Sequence, residues 1–75
     1  MHRITPEEIG LAVQKARKTL GLRQRDLAFA SGTGVRFIVD LEKGKQTCQL
    51  GKALQILGML GITVNLQLPV APDGK

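Results

Sequence analysis

The sequence contains few of the residues that build redox, metal or base-stacking sites. Among its 75 residues there is no tryptophan or tyrosine, one histidine and one cysteine. Because Cys48 is the only cysteine, no disulfide can form within the chain, and adding His2 leaves too few ligands for a zinc site. Phe29 and Phe37 are the only aromatic residues, too few to stack the bases of a single-stranded nucleic acid.

Catalytic motifs and membrane segments are also absent from the sequence. It has no Ser/His/Asp set, no metal set and no phosphate-binding loop, so we predict a protein that is not an enzyme and needs no cofactor. The first eight residues lack an apolar signal core, and the apolar stretch 50–68 is interrupted by Lys52, Gln55, Asn65 and Gln67. We therefore expect no membrane span and a cytoplasmic location.

The charge balance favours a polyanionic partner. Lysine and arginine number 11 against 6 aspartates and glutamates, which gives a net charge of +5. Nucleic acid is the commonest partner for such a chain, because its phosphates are attracted to a positive field. Charge alone leaves open a small basic protein that is merely soluble.

The stretch from Leu22 to Lys45 predicts two short helices joined by a tight turn. The first is expected from Arg23 or Gln24 to Ala30, and the second from Val35 to Glu42. Apolar residues on one side of each helix can share a core only if the chain reverses within a few residues. Gly32 permits a positive φ in that turn, and Gly44 supplies a left-handed cap at the end.

Another helix is predicted before this stretch, from residue 6 to residue 20. Thr5 can cap its start, Pro6 suits the first helical position, and Glu8 completes a capping box. Gly21 is the expected stop.

A fourth helix and one strand are predicted after the stretch. Thr47 is the expected cap of a helix that ends at Gly61, and residues 62–68 alternate strictly between apolar and polar, which predicts a strand. A single strand leaves its backbone groups unpaired, so we expect it to pair with the same strand of a second copy about a twofold axis. The residues expected in this dimer contact are Ile62, Val64, Leu66 and Leu68.

Together these elements predict a mostly α fold, a helix-turn-helix bundle of about four helices with one C-terminal β-strand that pairs across a homodimer. The expected divisions are an N-terminal lead-in at 1–5, a helix-turn-helix domain at 6–61, a dimerisation strand at 62–68 and a flexible tail at 69–75.

The spacing Q-x-x-L-A-x-x-[SA]-G-x-x-x-x-x-I-x-x-L-E-x-G-K resembles the helix-turn-helix of lambda-Cro-like (XRE) bacterial repressors. The run V-R-F-I-V-D-L-E-K-G-K, followed by L-G-K-A-L-Q-I-L-G-M-L-G-I, is similar to HipB-type antitoxins of that superfamily. This resemblance implies a lambda-repressor-like homodimer that binds a palindromic operator in double-stranded DNA and represses its own operon. It also implies a HipA-like serine/threonine kinase toxin as partner, in a bacterial cytoplasm and near the nucleoid.

Transferred by position, the resemblance implies a reading helix whose N-terminal half enters the major groove. It implies a structural ion pair between Arg17 and Glu42, and phosphate contacts from Gln24, Thr33 and Lys43. Arg23, beside the helix start, and Lys45, in the loop after the reading helix, are further expected phosphate contacts. The expected base-reading residues are Gly34, Val35, Arg36, Val39 and Asp40.

Several alternatives stay open at this point. Arg36 can grip guanine or a phosphate, and Asp40 can accept from cytosine or orient Arg36 one turn earlier. A stand-alone phage-type or operon repressor with no toxin is one alternative function. A protein-binding antitoxin with only nonspecific DNA affinity is another, because Gly34 and Val35 bring little polarity to the reading face.

Overall fold

The computed structural model describes residues 3–70 and folds most of them into helices, as predicted. The helices are α1 (Pro6–Thr19), α2 (Gln24–Ser31), α3 (Val35–Lys43) and α4 (Leu50–Met59). The first three end within a residue of the predicted positions. In the part of the chain that the structure describes, no helix is long and apolar enough to cross a membrane.

The start of α1 is the capping box that the sequence predicts. Thr5 Oγ1 accepts a hydrogen bond from the Glu8 N–H at 3.2 Å, and Glu8 Oε1 accepts one from the Thr5 N–H at 3.0 Å. Pro6 occupies the first helical position. These groups satisfy amides at the helix end that have no intrahelical partner.

Left-handed glycines end both helices of the helix-turn-helix. Gly32 follows α2 with a φ of 70°, and Gly44 follows α3 with a φ of 84°. The turn between the helices is closed by the Thr33 N–H, which donates to the Ala28 carbonyl at 3.0 Å. The sequence predicts positive φ at these two positions, where an L side chain would be strained.

A small core joins all four helices. Its fully buried side chains are Val13 of α1, Leu27 of α2, Ile38 of α3 and Ile56 of α4. Phe37 packs against this core from the edge of α3. The other buried apolar residues of the core are Ala28, Leu41, Ala53 and Leu57.

The N-terminal half of α1 passes the end of α3 at backbone contact distance. A Cβ on Gly10 would lie 2.5 Å from the Glu42 carbonyl oxygen and 2.6 Å from that of Leu41. A Cβ on Gly44 would lie 2.8 Å from the Glu7 Cα. Glycine in a helix interior costs about 1 kcal/mol relative to alanine. Gly10 is tolerated inside α1 because any side chain there would force the two helices apart.

The C-terminal part departs from the prediction at two points. Gln49 is the N-cap of α4, so the prediction that Thr47 caps this helix was wrong: residues 45–49 are used to turn the chain from α3 into α4. Residues 62–70 belong to no helix or strand, and no backbone hydrogen bond joins 63–70 to other described residues. A strand cannot form a ladder without a partner. Residues 71–75 of the predicted tail lie outside the described residues.

Candidate nucleic-acid interface

The outer face of α3 carries the residues predicted to read bases. Arg36 projects into solvent with 84% of its side chain exposed. Val35 is also exposed, whereas Val39 and Asp40 are half-buried along the flanks of the helix. Lys43 is exposed in the last turn. The face is therefore mixed, with two apolar side chains beside three charged ones.

The N-terminus of α3 is open to an anion. Gly34 is its N-cap, with an extended φ of −85°, and has no side chain to bond the free amides. The first turn also contains no acidic residue. Because the first N–H groups of a helix lack internal partners and stand at the positive end of the dipole, they are suited to a phosphate.

Asp40 joins two cations on the flank of this face. Its Oδ1 lies 3.3 Å from Arg36 Nε, one helical turn earlier, and its Oδ2 lies 3.4 Å from Lys45 Nζ, after the end of the helix. The structure therefore brings together three of the predicted site residues: Arg36 and Asp40, both expected to read bases, and Lys45, expected to contact a phosphate.

The N-terminus of α2 is closed by an acidic residue from within the helix. The carboxylate of Asp26 accepts from the Arg23 backbone N–H at 2.8 Å and from Arg23 Nε at 3.1 Å. The side-chain hydrogen bond from Arg23, with its backbone N–H, lowers the pKa of the Asp26 carboxyl below its ordinary value. Arg23 is therefore an ion-pair partner of Asp26 in this structure. A phosphate would have to compete with the Asp26 carboxylate for the Arg23 guanidinium.

A buried ion pair between Arg17 and Glu42 lies beside Gln24. Arg17 Nε donates to Glu42 Oε2 at 2.6 Å and Arg17 Nη2 donates to Glu42 Oε1 at 3.0 Å, while Nη1 donates to the Leu22 carbonyl at 2.8 Å. Only 9% of the Arg17 side chain and 3% of that of Glu42 is exposed. The hydrogen bond to Glu42 raises the pKa of the Arg17 guanidinium above its ordinary value.

The Gln24 amide joins this network from the surface side. Gln24 Nε2 donates to Glu42 Oε1 at 3.1 Å. A primary amide carries two N–H groups, so one can be fixed by Glu42 while the other donates outward. The pair thereby sets the orientation of a side chain that is expected to hold a phosphate.

Thr33 is engaged within the turn. Its N–H donates to Ala28, and its hydroxyl lies 2.9 Å from the Ser31 hydroxyl. Ser31 Oγ donates to the Ala28 carbonyl at 3.3 Å, so Thr33 is the donor to Ser31 in that arrangement. A phosphate contact from Thr33 would require its hydroxyl to rotate.

Two basic residues near this surface are missing from the sequence-based set. Lys52, in the first turn of α4, places Nζ 5.8 Å from the centre of the Phe37 ring on α3, a cation–π distance. Arg25 is exposed on α2 next to Gln24. The sequence could have identified Arg25 as a candidate phosphate contact, because it follows Gln24 in the first turn of α2. The contact between Lys52 and Phe37 spans 15 residues and follows no local pattern.

The four predicted dimer residues lie along the extended segment after α4. The Ile62 N–H donates to the Leu57 carbonyl at 2.9 Å, and Val64 lines an apolar groove with Ile4 and Ile9 of the N-terminal part. Leu66 and Leu68 are 85% and 84% exposed. Within this segment Ile62 is half-buried and Val64 is 40% exposed, so exposure rises from Ile62 to Leu68. Across residues 3–70, no group of His, Cys, Asp and Glu is arranged to hold a metal ion.

Comparisons with known proteins agree with this geometry. The profile of the Helix-turn-helix family HTH_3 matches residues 13–66. The uncharacterized HTH-type transcriptional regulator y4mF of Sinorhizobium fredii (strain NBRC 101917 / NGR234) is 51% identical over 65 residues, which are 87% of this chain and 86% of that protein.

Two solved structures share the fold. The HipB-O4 20mer complex has a TM-score of 0.75 and 22% identity, covering 89% of this chain and 94% of that chain. A serine-to-alanine variant of HipB in its O2 20mer complex has a TM-score of 0.76, also at 22% identity, covering 89% of this chain and 93% of that one.

Proposed function

The chain belongs to the XRE-type helix-turn-helix family of transcriptional regulators, and we propose that within it the protein is an autorepressing antitoxin of the HipB kind. The observation that carries the DNA-binding part is the outer face of α3. An uncapped helix N-terminus, the exposed Arg36 and the exposed Lys43 lie on one surface directly after a helix-turn-helix turn. This combination offers phosphate contacts and a base-reading side chain together.

In the proposed complex, the N-terminal half of α3 enters the major groove. Arg36 donates two hydrogen bonds from its guanidinium to a guanine edge. Val35 and Val39 pack on thymine methyl groups. Phosphates are held by Gln24, by Lys43 and by the open amides at the start of α3. These contacts fix the position of the domain on the duplex, and the α3 side chains select the sequence.

The proposed functional unit is a homodimer that pairs residues 62–68 of two copies. Two features support it: the backbone of 63–70 makes no backbone hydrogen bond within the described range 3–70, and the side chains of Leu66 and Leu68 are exposed. An antiparallel ribbon would satisfy the backbone groups and bury these leucines. Its twofold axis would place two copies of α3 in successive major grooves about 34 Å apart, which suits a palindromic operator.

The toxin partner is the least constrained part of the proposal. The fold shared with HipB and the similarity of residues 35–45 and 50–62 support a HipA-like serine/threonine kinase as the protein that this chain neutralises. The alternative is a stand-alone repressor, and the name of the relative y4mF, an HTH-type transcriptional regulator, fits either function. A kinase gene directly beside this one, whose product co-purifies with the chain, would decide for the antitoxin.

DNA binding is tested with the duplex upstream of the protein's own gene and a scrambled duplex of equal composition. Binding is measured by fluorescence anisotropy at two salt concentrations. We expect a preference for the upstream duplex that survives the higher salt, because base contacts do not depend on counterion release. Equal binding to both duplexes, erased by salt, would reduce α3 to a nonspecific anchor and would contradict specific repression.

The dimer is tested with Val64→Asp, and Asn65→Asp is the matched control. Both variants add one negative charge to the same segment beside the apolar groove. In the proposed ribbon, however, Asn65 would lie on the face opposite to Val64, because side chains alternate along a strand. Sedimentation equilibrium should show a monomer for Val64→Asp and a dimer for Asn65→Asp. A Val64→Asp variant that remained dimeric would contradict pairing through this segment.

A further inference from the structure

The end of α3 folds Lys45 back over Asp40. Gly44 takes the left-handed conformation, and its N–H donates to the Leu41 carbonyl at 3.1 Å. The Lys45 N–H then donates to the Asp40 carbonyl at 3.0 Å. These are the two hydrogen bonds of a Schellman motif. The backbone itself therefore brings the Lys45 side chain next to the Asp40 carboxylate.

The Asp40 carboxylate is shared between two cations, each of which lies near a different one of its oxygens. Oδ1 faces Arg36 Nε at 3.3 Å, and Oδ2 faces Lys45 Nζ at 3.4 Å. Only 16% of the Asp40 side chain is exposed, against 84% for Arg36 and 53% for Lys45. The carboxylate is thus fixed in the flank of α3, whereas the cations are exposed.

A carboxylate at this place opposes simple attraction to DNA. It lies on the face proposed to approach a polyanion, and it neutralises one of the two cations beside it. If its only effect were electrostatic, it would weaken binding to every DNA sequence equally. Its two oxygens, however, already lie at ion-pair distance from Arg36 and Lys45, which argues for a role exerted through these cations.

We propose that Asp40 is a positioning residue that determines sequence specificity, and this inference rests on the proposed function as a sequence-specific DNA-binding protein. Asp40 holds the guanidinium of Arg36 in the orientation that contacts a base edge. It also keeps Arg36 and Lys45 from binding the nearest phosphate. It touches no base itself. The carboxylate lowers the affinity for DNA of any sequence and raises the preference for the operator sequence.

The test measures affinity for the upstream duplex and the scrambled duplex over a series of salt concentrations. The proteins compared are the wild type, Asp40→Asn, Asp40→Glu, Arg36→Ala and the double variant Arg36→Ala/Asp40→Asn. Asparagine has nearly the same shape as aspartate, and thermal melting of each variant verifies that the fold is retained.

Asp40→Asn should bind scrambled DNA more tightly and with a steeper salt dependence. Each cation released to a phosphate adds about 0.9 to the slope of log affinity against log salt. Its preference for the upstream duplex should fall by roughly 5- to 150-fold, the discrimination of one good bidentate base contact. Asp40→Glu, which keeps the charge, should recover part of the preference and the wild-type salt slope.

The double variant separates positioning from direct reading. If Asp40 acts through Arg36, adding Asp40→Asn to Arg36→Ala should cause no further loss of preference. Losses that add, or an Asp40→Asn variant with unchanged preference, would overturn the inference. Failure of the proposed function is visible separately, in a wild-type protein that does not distinguish the two duplexes, and that result would overturn the inference as well.

Discussion

Replacing Gly10 with alanine should destabilise the domain, although the same change favours an isolated helix. Alanine is about 1 kcal/mol better than glycine in a helix interior. At this position, however, the new methyl group would lie 2.5 Å and 2.6 Å from two carbonyl oxygens of α3. Both distances fall about 1 Å inside ordinary van der Waals contact. Neither oxygen can rotate away, because both belong to the backbone of the last turn.

The magnitude follows from how the clash must be relieved. The helices α1 and α3 would separate by about 1 Å, which also stretches the hydrogen bonds between Arg17 and Glu42. Overpacking of a rigid contact costs about 3 kcal/mol at the upper end of its range. After subtraction of the helix propensity, we expect a net loss of about 2 kcal/mol. In a domain of this size, that loss lowers Tm by about 8–16 °C.

The assay is thermal and urea unfolding followed by circular dichroism, at equal protomer concentration because the stability of an oligomer depends on it. Gly51→Ala is the matched control, since a Cβ on Gly51 in α4 meets no atom within 4 Å. This control should lose no stability and gain up to about 1 kcal/mol. A Gly10→Ala protein that melts at or above the wild-type temperature would refute the backbone contact between α1 and α3.

Three further predictions concern charged residues. Arg17→Ala should lower the free energy of unfolding by about 3–5 kcal/mol because it leaves Glu42 buried without its ion partner; Arg17→Met combined with Glu42→Leu should lose less in urea unfolding. Arg36→Ala should relax preference at one base position at a cost of about 1–3 kcal/mol, and equal weakening on all sequences would make Arg36 a phosphate contact. The pKa of Asp26 is lowered in the folded state, so its pairing with Arg23 contributes stability above the ordinary aspartate pKa and loses it as pH falls through the lowered value. Carboxyl NMR titration should find the Asp26 pKa nearer its ordinary value in Arg23→Gln, which keeps the backbone N–H, and an unchanged value would exclude the Arg23 side chain as the main cause.

Local signals in the sequence were sufficient to predict the helices. These signals are the capping box of Thr5 and Glu8 and the stops at Gly32 and Gly44. Each acts within four residues, so it can be recognised from the sequence alone. The start of α4 was predicted at the wrong place because it does not depend on local signals alone. Thr47 is a good cap by type, but the path needed to turn from α3 into α4 is set by packing rather than by propensity.

Contacts between distant residues could be predicted only in part. The pairing of Arg17 with Glu42 followed from resemblance to a family, and its network with Gln24 did not. The reason for Gly10 was out of reach, because the atoms that exclude a side chain there belong to residues more than thirty positions away. The pairing of Asp40 with Arg36 was one of the sequence-based alternatives because the two residues are four apart in a helix, whereas its pairing with Lys45 depends on the Schellman turn after α3.

The glycine contact between α1 and α3 has a consequence for regulation. Because backbone meets backbone at Gly10, no side chain at that crossing can change rotamer and create a second arrangement of the two helices. A packed contact of this kind is not bistable, so α3 moves with α1 as a rigid body. An effector or protein partner could therefore not switch this protein by swinging the reading helix inside its domain. In the proposed dimer it would have to act between subunits, by changing the separation or angle at which two intact domains meet the duplex.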